Sequence, residues 1–456
     1  MARLYPFRAW RYNPSAVRLE DVVTQPCDKI SPAMQQAYYQ RSPFNLVRII
    51  LGLPELFDAE RGESVYTRAA REFHVWRQLG VLTQEKTPSI YAYSQRFKVP
   101  GTEIEKERRS FIALGKLHDY SEQVVFPHKK SVQSVQTLPA PVNDQLDLLN
   151  ATRAHFGQIL MLYADPAGSI EKILYDGSGL ADIEVTDDLG VLHSLWRISD
   201  PAAISLLTTA MADKKLIIAD GHHRYQTALN YAKEHAPSQP PTPAQPPTES
   251  RSMHLAPPYP EAAVMMTFVN MDSDGIVILP THRVIQSLAG LEPSKPFDPV
   301  AFALAAQQFF TVEALPDADA SSYIDLLGRH QGTAFVAITR AGALLLRARP
   351  EAQAALANLP ERQRQLDLSQ LHGLLLDRIL GINSDDPSAQ TTIRYLRDPF
   401  EAVNQVRRGQ ADISFLTNPV TMEQLREVAF AGEQMPPNST EFYPKPLSGL
   451  TIYALD

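Results

Sequence analysis

Cysteine is almost absent. Cys27 is the only one in 456 residues, which excludes an intrachain disulfide framework and any cysteine-built zinc or iron–sulfur cage. No run approaches the roughly eighteen apolar residues needed to span a bilayer. The stretch from Met1 to Trp10 also lacks the continuous apolar core of a signal peptide. A soluble, cytoplasmic protein with no membrane partner is therefore expected. Positive charge is not in excess either: 43 Lys and Arg stand against 51 Asp and Glu, a formal net charge of −8. Recognition of a phosphate backbone needs concentrated positive charge, so no nucleic acid is expected as the main partner, although a local cluster can hold a small anion. The chain has no GxxxxGK[ST] loop, no GxGxxG after a strand, no GxSxG elbow and no HExxH pair, so the commonest phosphate, dinucleotide, hydrolase and zinc signatures are excluded.

With 44% hydrophobic and 21% charged residues, the chain is a globular one, long enough for two or three domains. Proline is abundant but uneven: 9 of the 36 prolines fall between Pro237 and Pro260. Such a composition buries too little apolar surface to offset its ordering entropy, and it predicts a disordered insertion in a folded domain. Elsewhere the patterning mixes both periods. Helices are predicted over Val65 to Leu79, Glu103 to Lys116, Gln145 to His155, Leu368 to Leu380, Pro399 to Arg408 and Thr421 to Gly432. Strands are predicted over Ser89 to Val99 and Phe156 to Tyr163, with two more around Arg340-Ala341-Gly342. Val264 to Asn270 and Ile276 to Pro280 read as a β-hairpin closed by Met271-Asp272-Ser273-Asp274-Gly275. The fold class is α+β, in three expected parts: an N-terminal segment 1–150, a central mixed domain 151–290 and a C-terminal segment 291–456.

The most informative stretch is KLIIADGHHRYQTALNYAKE, Lys215 to Glu234. A short apolar run, Leu216 to Ala219, is broken by Asp220-Gly221, and Tyr225, Ala228, Leu229 and Ala232 then recur at helical spacing. Asp220, Gly221, His222, His223 and Arg224 thus sit at a strand-to-helix junction, where first-turn N–H groups and the helix dipole favour an anion. Gly221 lets a ligand approach the backbone, and Arg224 offers a planar fork for phosphate oxygens. A phosphate site is the simplest reading. Two others stand beside it: Asp220 as a plain N-cap, and His222 with His223 as metal ligands of a nuclease.

The segment Ile218 to Tyr225 resembles the signature of the bacterial and archaeal domain-of-unknown-function family ten-fifteen. Further stretches agree in order along the chain: Gln25-Pro26-Cys27-Asp28-Lys29-Ile30-Ser31, Asn45-Leu46-Val47-Arg48, Pro127-His128, Pro280-Thr281-His282-Arg283, Leu366-Asp367-Leu368 with Leu371-His372, and Met435-Pro436-Pro437 through Phe442-Tyr443-Pro444-Lys445 to Gly449-Leu450. The family's central motif is in turn similar to the phosphate-binding helix start of the ParB/sulfiredoxin superfamily. The resemblance implies a central domain of that type, and a kinase that transfers the γ-phosphate of ATP, with Mg2+, to the hydroxyl of free L-serine or a similar small molecule. A nucleotide-binding regulatory or clamp protein without transfer is the alternative.

On that reading Gly221, His222, His223 and Arg224 hold nucleotide phosphates, and Asp220 holds Mg2+. Asp28 is the candidate catalytic base with Asp220 as its rival, and His282, Arg283 and Lys445 neutralise substrate charge. Each also has a plainer role open to it: Asp28 as a turn or cap residue, Arg283 as a partner of a carboxylate, Lys445 as cover for a turn. His128 and His372 are expected to satisfy buried polar partners. The chain departs from the family pattern at Cys27, which stands for an aromatic residue, at Lys129 for an acidic one, at Ser131 for threonine and at Asn438 for lysine. Changed specificity is one implication.

Overall fold

Leu216, Ile217, Ile218 and Ala219 are each at most 3% exposed, as an uninterrupted apolar run demands of a strand covered on both faces. The strand they form, Leu216–Asp220, lies in a mixed sheet. In spatial order its strands are Val125–Pro127, Leu216–Asp220, Ile159–Tyr163, Ala263–Asn270, Glu105–Lys116, Ile90–Lys98, Leu192–Ile198 and Ile183–Thr186, and Leu4–Tyr5 pairs additionally with Glu105–Lys116. Leu216–Asp220 runs parallel to Val125–Pro127, and Ile159–Tyr163 parallel to Ala263–Asn270; the remaining pairs are antiparallel. The computed structural model describes residues 1–56, 58–129, 140–237, 256–288, 296–383 and 392–456. Most of the proline-rich stretch 237–260, and Ser131, lie outside the described residues.

The strand period of two sorts side chains onto two cores. Ile90, Ala92, Phe111, Ala113, Val264 and Met266 join one cluster, together with Tyr225, Ala228 and Leu229 of the helix His222–Glu234. Tyr91, Tyr93, Ile112, Leu114 and Met265 join the other. The chain is α+β, and by its internal contacts it forms two units. The first comprises Met1–Pro127, Ser131–Val277 and Pro444–Asp456; the second comprises His128–Lys130 and Ile278–Tyr443. This division does not follow the three consecutive segments expected from sequence, because the last thirteen residues belong with the first unit. There Tyr453–Ala454 pairs with Ala154–His155, and Ile452 bridges Trp10.

The second unit is built on an antiparallel sheet ordered Phe310–Leu315, Gly342–Ala348, Ala334–Thr339, Ile413–Leu416, His282–Ile285 and Ile393–Leu396. Val284, Val336, Leu345 and Leu416 pack there with Tyr323 and Leu327 of one helix and Val403 and Val406 of another. No helix among the described residues is long and apolar enough to cross a membrane.

Two predicted elements are corrected. The helix expected over Glu103 to Lys116 is a strand, Glu105–Lys116, held on its two edges by Ile90–Lys98 and Ala263–Asn270. Its first half is rich in Glu, Lys and Arg, but helix propensity gives way to pairing on both sides. The hairpin expected across 264–280 does not form: both edges of Ala263–Asn270 are taken, by Glu105–Lys116 and Ile159–Tyr163.

Candidate functional site

Gly221 caps the helix His222–Glu234 with φ +87°, a left-handed conformation that costs glycine little. It brings no capping side chain to the first turn. Just before it the strand register slips: Ile218 faces Met161 while Asp220 faces Leu160, so one extra residue bulges at the strand's end. Bulges re-aim the side chains beside them, and here the affected side chain is Asp220.

Asp220 lies between two cations. Its Oδ2 is 3.2 Å from Arg224 Nη2, one helical turn on, and its Oδ1 is 3.2 Å from Lys445 Nζ. The Lys445 side chain is only 6% exposed, and those of Asp220 and Arg224 17% and 18%. The Arg224 fork is further fixed by Nη1, which donates to the Gln158 carbonyl at 2.7 Å. Gly157 and Gly221 leave room for it: a Cβ at Gly157 would lie 2.9 Å from Nη1, and one at Gly221 3.2 Å from Nε. Burial works against the Arg224 charge, but Asp220, Asp28 and Cys27 outweigh it and hold its pKa above the ordinary value. Asp28 itself is exposed, in the single turn Cys27–Lys29. Burial pushes the Cys27 thiol up, with Arg224 pulling the other way.

The segment carrying Lys445 is gripped by the sheet. Arg108, 1% exposed, donates to the Pro444 carbonyl and to Gln95 Oε1, and Gln95 Nε2 donates to the Lys445 carbonyl at 2.9 Å. Gln158 Nε2 donates to the Leu447 carbonyl at 3.3 Å, and the Leu447 N–H donates to the Tyr93 hydroxyl at 3.1 Å. The Tyr93 hydroxyl is 2.7 Å from His193 Nδ1, and His193 Nε2 is 3.2 Å from Asp187 Oδ2. With Tyr93 donating to Nδ1, the imidazole proton sits on Nε2 and goes to Asp187; burial depresses the His193 pKa despite the Asp187 charge, in keeping with that neutral form. Burial also brings Arg108 down to about 10, with Tyr93 and Asp220 opposing it.

The structure thus brings Asp220, Gly221, Arg224 and Lys445 together, with Asp28 in electrostatic reach. His222 is buried and His223 exposed on the same helical turn. His282 and Arg283 belong to the second unit, where both are fully buried. Arg283 donates to Thr281 and to the carbonyls of Pro437 and Asn438, and its Nε donates to His372 Nε2 at 3.1 Å. These partners are carbonyls, a hydroxyl and an imidazole, and none is the carboxylate expected in its plainer role. His128 Nε2 lies 2.8 Å from the Thr440 hydroxyl, so both this histidine and His372 have buried partners. Arg108, Gln95, Gln158 and Gly157 belong to no motif that the sequence singles out. A helical reading of its strand hides Arg108, although Pro100-Gly101 marks a turn ahead of it.

The geometry suits an anion. One guanidinium and one ammonium group share a carboxylate at a glycine-capped helix start. It suits Mg2+ poorly: both Asp220 oxygens face cations, and among the described residues no group of three or more His, Cys, Asp or Glu could hold a metal ion. Beside Arg224 opens a cavity of about 90 Å³ between the helices Ala140–Thr152 and His222–Glu234.

The model of the family described as "Protein of unknown function (DUF1015)" matches residues 4–369. No curated protein matches the chain. Solved structures similar to it include a free serine kinase in complex with AMP, at 11% identity and TM-score 0.35 over 76% of this chain and 92% of that one. A conserved hypothetical protein from Pyrococcus furiosus is 12% identical, with TM-score 0.33 over 72% and 90%. A C-terminally truncated SbnI from Staphylococcus aureus is 10% identical, with TM-score 0.34 over 75% and 87%. At these values the likeness carries no argument about chemistry.

Proposed function

We propose that this chain, which belongs to the DUF1015 family, binds ATP by its phosphates at the Asp220–Arg224 helix start and transfers the γ-phosphoryl group to the hydroxyl of free L-serine. The observation that carries the nucleotide part is the pairing of Arg224 and Lys445 on the two oxygens of Asp220. Phosphoryl transfer asks the protein for position and positive charge more than for covalent chemistry. Cations already held in place cost no reorganisation when charge develops. The serine acceptor comes from the resemblance of the family's central motif to the phosphate-binding helix start of the ParB/sulfiredoxin superfamily. In the step, a bond forms between the serine oxygen and the γ-phosphorus as the bond to the β,γ-bridging oxygen breaks. ADP leaves with that electron pair, and the hydroxyl proton passes to a carboxylate. We assign this role to Asp28 rather than to Asp220, whose oxygens both face cations. Mg2+, when bound with the nucleotide, would supply further neutralisation of phosphate charge, and Asp220, with both oxygens facing cations, is poorly suited to hold it.

Mass spectrometry of purified protein incubated with L-serine, ATP and Mg2+ tests the reading, with O-phosphoserine as the expected product. Arg224→Ala should lower turnover by about 10²–10³-fold. Failure to form phosphoserine with ATP, ADP or pyrophosphate as donor would remove the serine-kinase reading. Nucleotide binding without transfer, as in the ParB branch, is the second reading. The engagement of both Asp220 oxygens favours it, since it leaves no base on the helix itself.

A further inference from the structure

We infer that the cavity between Ala140–Thr152 and His222–Glu234 is the acceptor site and takes a free hydroxy-amino acid, an inference that rests on the phosphotransfer reading above. Three observations carry it. The first is size. A buried water needs roughly 10–15 Å³ of such space, so about 90 Å³ holds a ligand of the order of a free amino acid. The second is position, because Arg224 lines the cavity and also carries the proposed phosphate contact. A group passing from nucleotide to acceptor has to cross that guanidinium.

The third is a pair of buried polar atoms. Thr227 is 5% exposed, and its Oγ1 has no hydrogen-bond partner among the described residues; the buried Oε1 of Gln145 has none either. Both residues line the cavity. A buried polar atom left unpaired is costly, so such atoms ask for a ligand or water. Their chemistry matches one class of molecule. Gln145 Oε1 accepts, as an ammonium requires; Arg224 donates, as a carboxylate or phosphoryl oxygen requires; Thr227 Oγ1 both donates and accepts, as a hydroxyl requires. Leu148, Phe156 and Val264 supply apolar wall, which keeps water from competing with the acceptor hydroxyl.

The test is calorimetry on the full chain with L-serine and with L-alanine, each in the absence and presence of ADP. The wild type is expected to prefer serine by about tenfold or more. Thr227→Val should close that gap, and Gln145→Leu should weaken both amino acids by about tenfold, while ADP affinity stays within about twofold. Serine that fails to bind the wild type, or an unchanged preference in a folded Thr227→Val, overturns the inference. Should the variants not fold, Cys27 serves in the wild type, since it lines the same cavity. Saturating serine is expected to slow its alkylation by iodoacetamide, and an unchanged rate overturns the inference. Serine binding with the expected preference but no ADP binding would count against the phosphotransfer reading and still support the pocket.

Discussion

Lys445 Nζ lies 3.2 Å from Asp220 Oδ1, across 225 residues of chain. The contact exists because Arg108 and Gln95 hold the Pro444 and Lys445 carbonyls against the sheet. It gives Asp220 a definite task, to keep two cations side by side. Removing one member of a well-buried charge pair strands the other, at about 3–5 kcal/mol. With Asp220 17% exposed, Asp220→Asn should cost about 2–3 kcal/mol. The same change leaves Arg224 and Lys445 unneutralised, so ADP affinity should hold or rise while phosphoserine formation falls. Urea unfolding and ADP calorimetry check both halves, and loss of ADP binding in Asp220→Asn would mean that the carboxylate meets the ligand itself.

Two glycines around Arg224 separate backbone strain from side-chain displacement. Gly221 is in the left-handed region, where a non-glycine residue costs about 1–2 kcal/mol. Gly157 is not, yet a Cβ there would lie 2.9 Å from Arg224 Nη1 and 3.6 Å from its Cδ. Gly157→Ala should therefore melt close to the wild type and bind ADP about tenfold more weakly, because only the far end of a flexible side chain must give way. Gly221→Ala should lose both affinity and several degrees of melting temperature. Equal ADP affinity in Gly157→Ala and the wild type would show that the position of Arg224 does not govern binding.

Much of the local structure could be read along the chain. Gly80 and Gly221 interrupt the apolar periodicity where helices end and begin, and the strand-to-helix junction at Asp220-Gly221 stands where its pattern puts it. The failures share a cause. Glu105–Lys116 carries the composition of a helix at one end and becomes a strand because neighbours pair on both of its edges. Ala263–Asn270 has a turn after it but no free edge left for the next strand, Val277–Leu279. The site is half-legible for the same reason. Asp220, Arg224 and Thr227 follow one another at helical spacing, whereas Lys445 meets Asp220 and Gln158 meets Arg224 only through the sheet, a relation no spacing rule encodes.

His282 ties stability to acid in the second unit. It is fully buried; burial first, and then the neighbouring Arg283 charge, lower its pKa from 6.5 to about 3. The neutral ring is the folded form, and its Nδ1 accepts the Thr417 N–H at 3.3 Å. Because the unfolded chain binds the proton more tightly, the contribution of His282 is fully present above pH 6.5 and is lost progressively as pH falls toward 3. At about 1.4 kcal/mol per unit, the loss amounts to a few kcal/mol. His282→Asn keeps an acceptor for Thr417 and removes the titration, so its unfolding free energy should be lower at pH 7 and flatter between pH 6.5 and 4. Parallel pH profiles for variant and wild type would exclude this origin.

Gly275 connects a distant turn to the same site. A Cβ there would overlap the Glu107 carbonyl oxygen and come within 2.6 Å of the Arg108 Cα. Both obstacles are backbone, and the strand they belong to is paired on each side, so it cannot step aside cheaply. Overpacking of this kind costs typically about 1–3 kcal/mol, and Gly275→Ala should lower the urea midpoint accordingly. Any relief by movement of the strand shifts Arg108, whose guanidinium holds Gln95 and the Pro444 carbonyl, and through them Lys445. ADP affinity should then fall in a variant whose new methyl group touches none of the phosphate-binding residues. An unchanged affinity beside a lowered midpoint would show that the turn moves instead of the strand, leaving Arg108 in place.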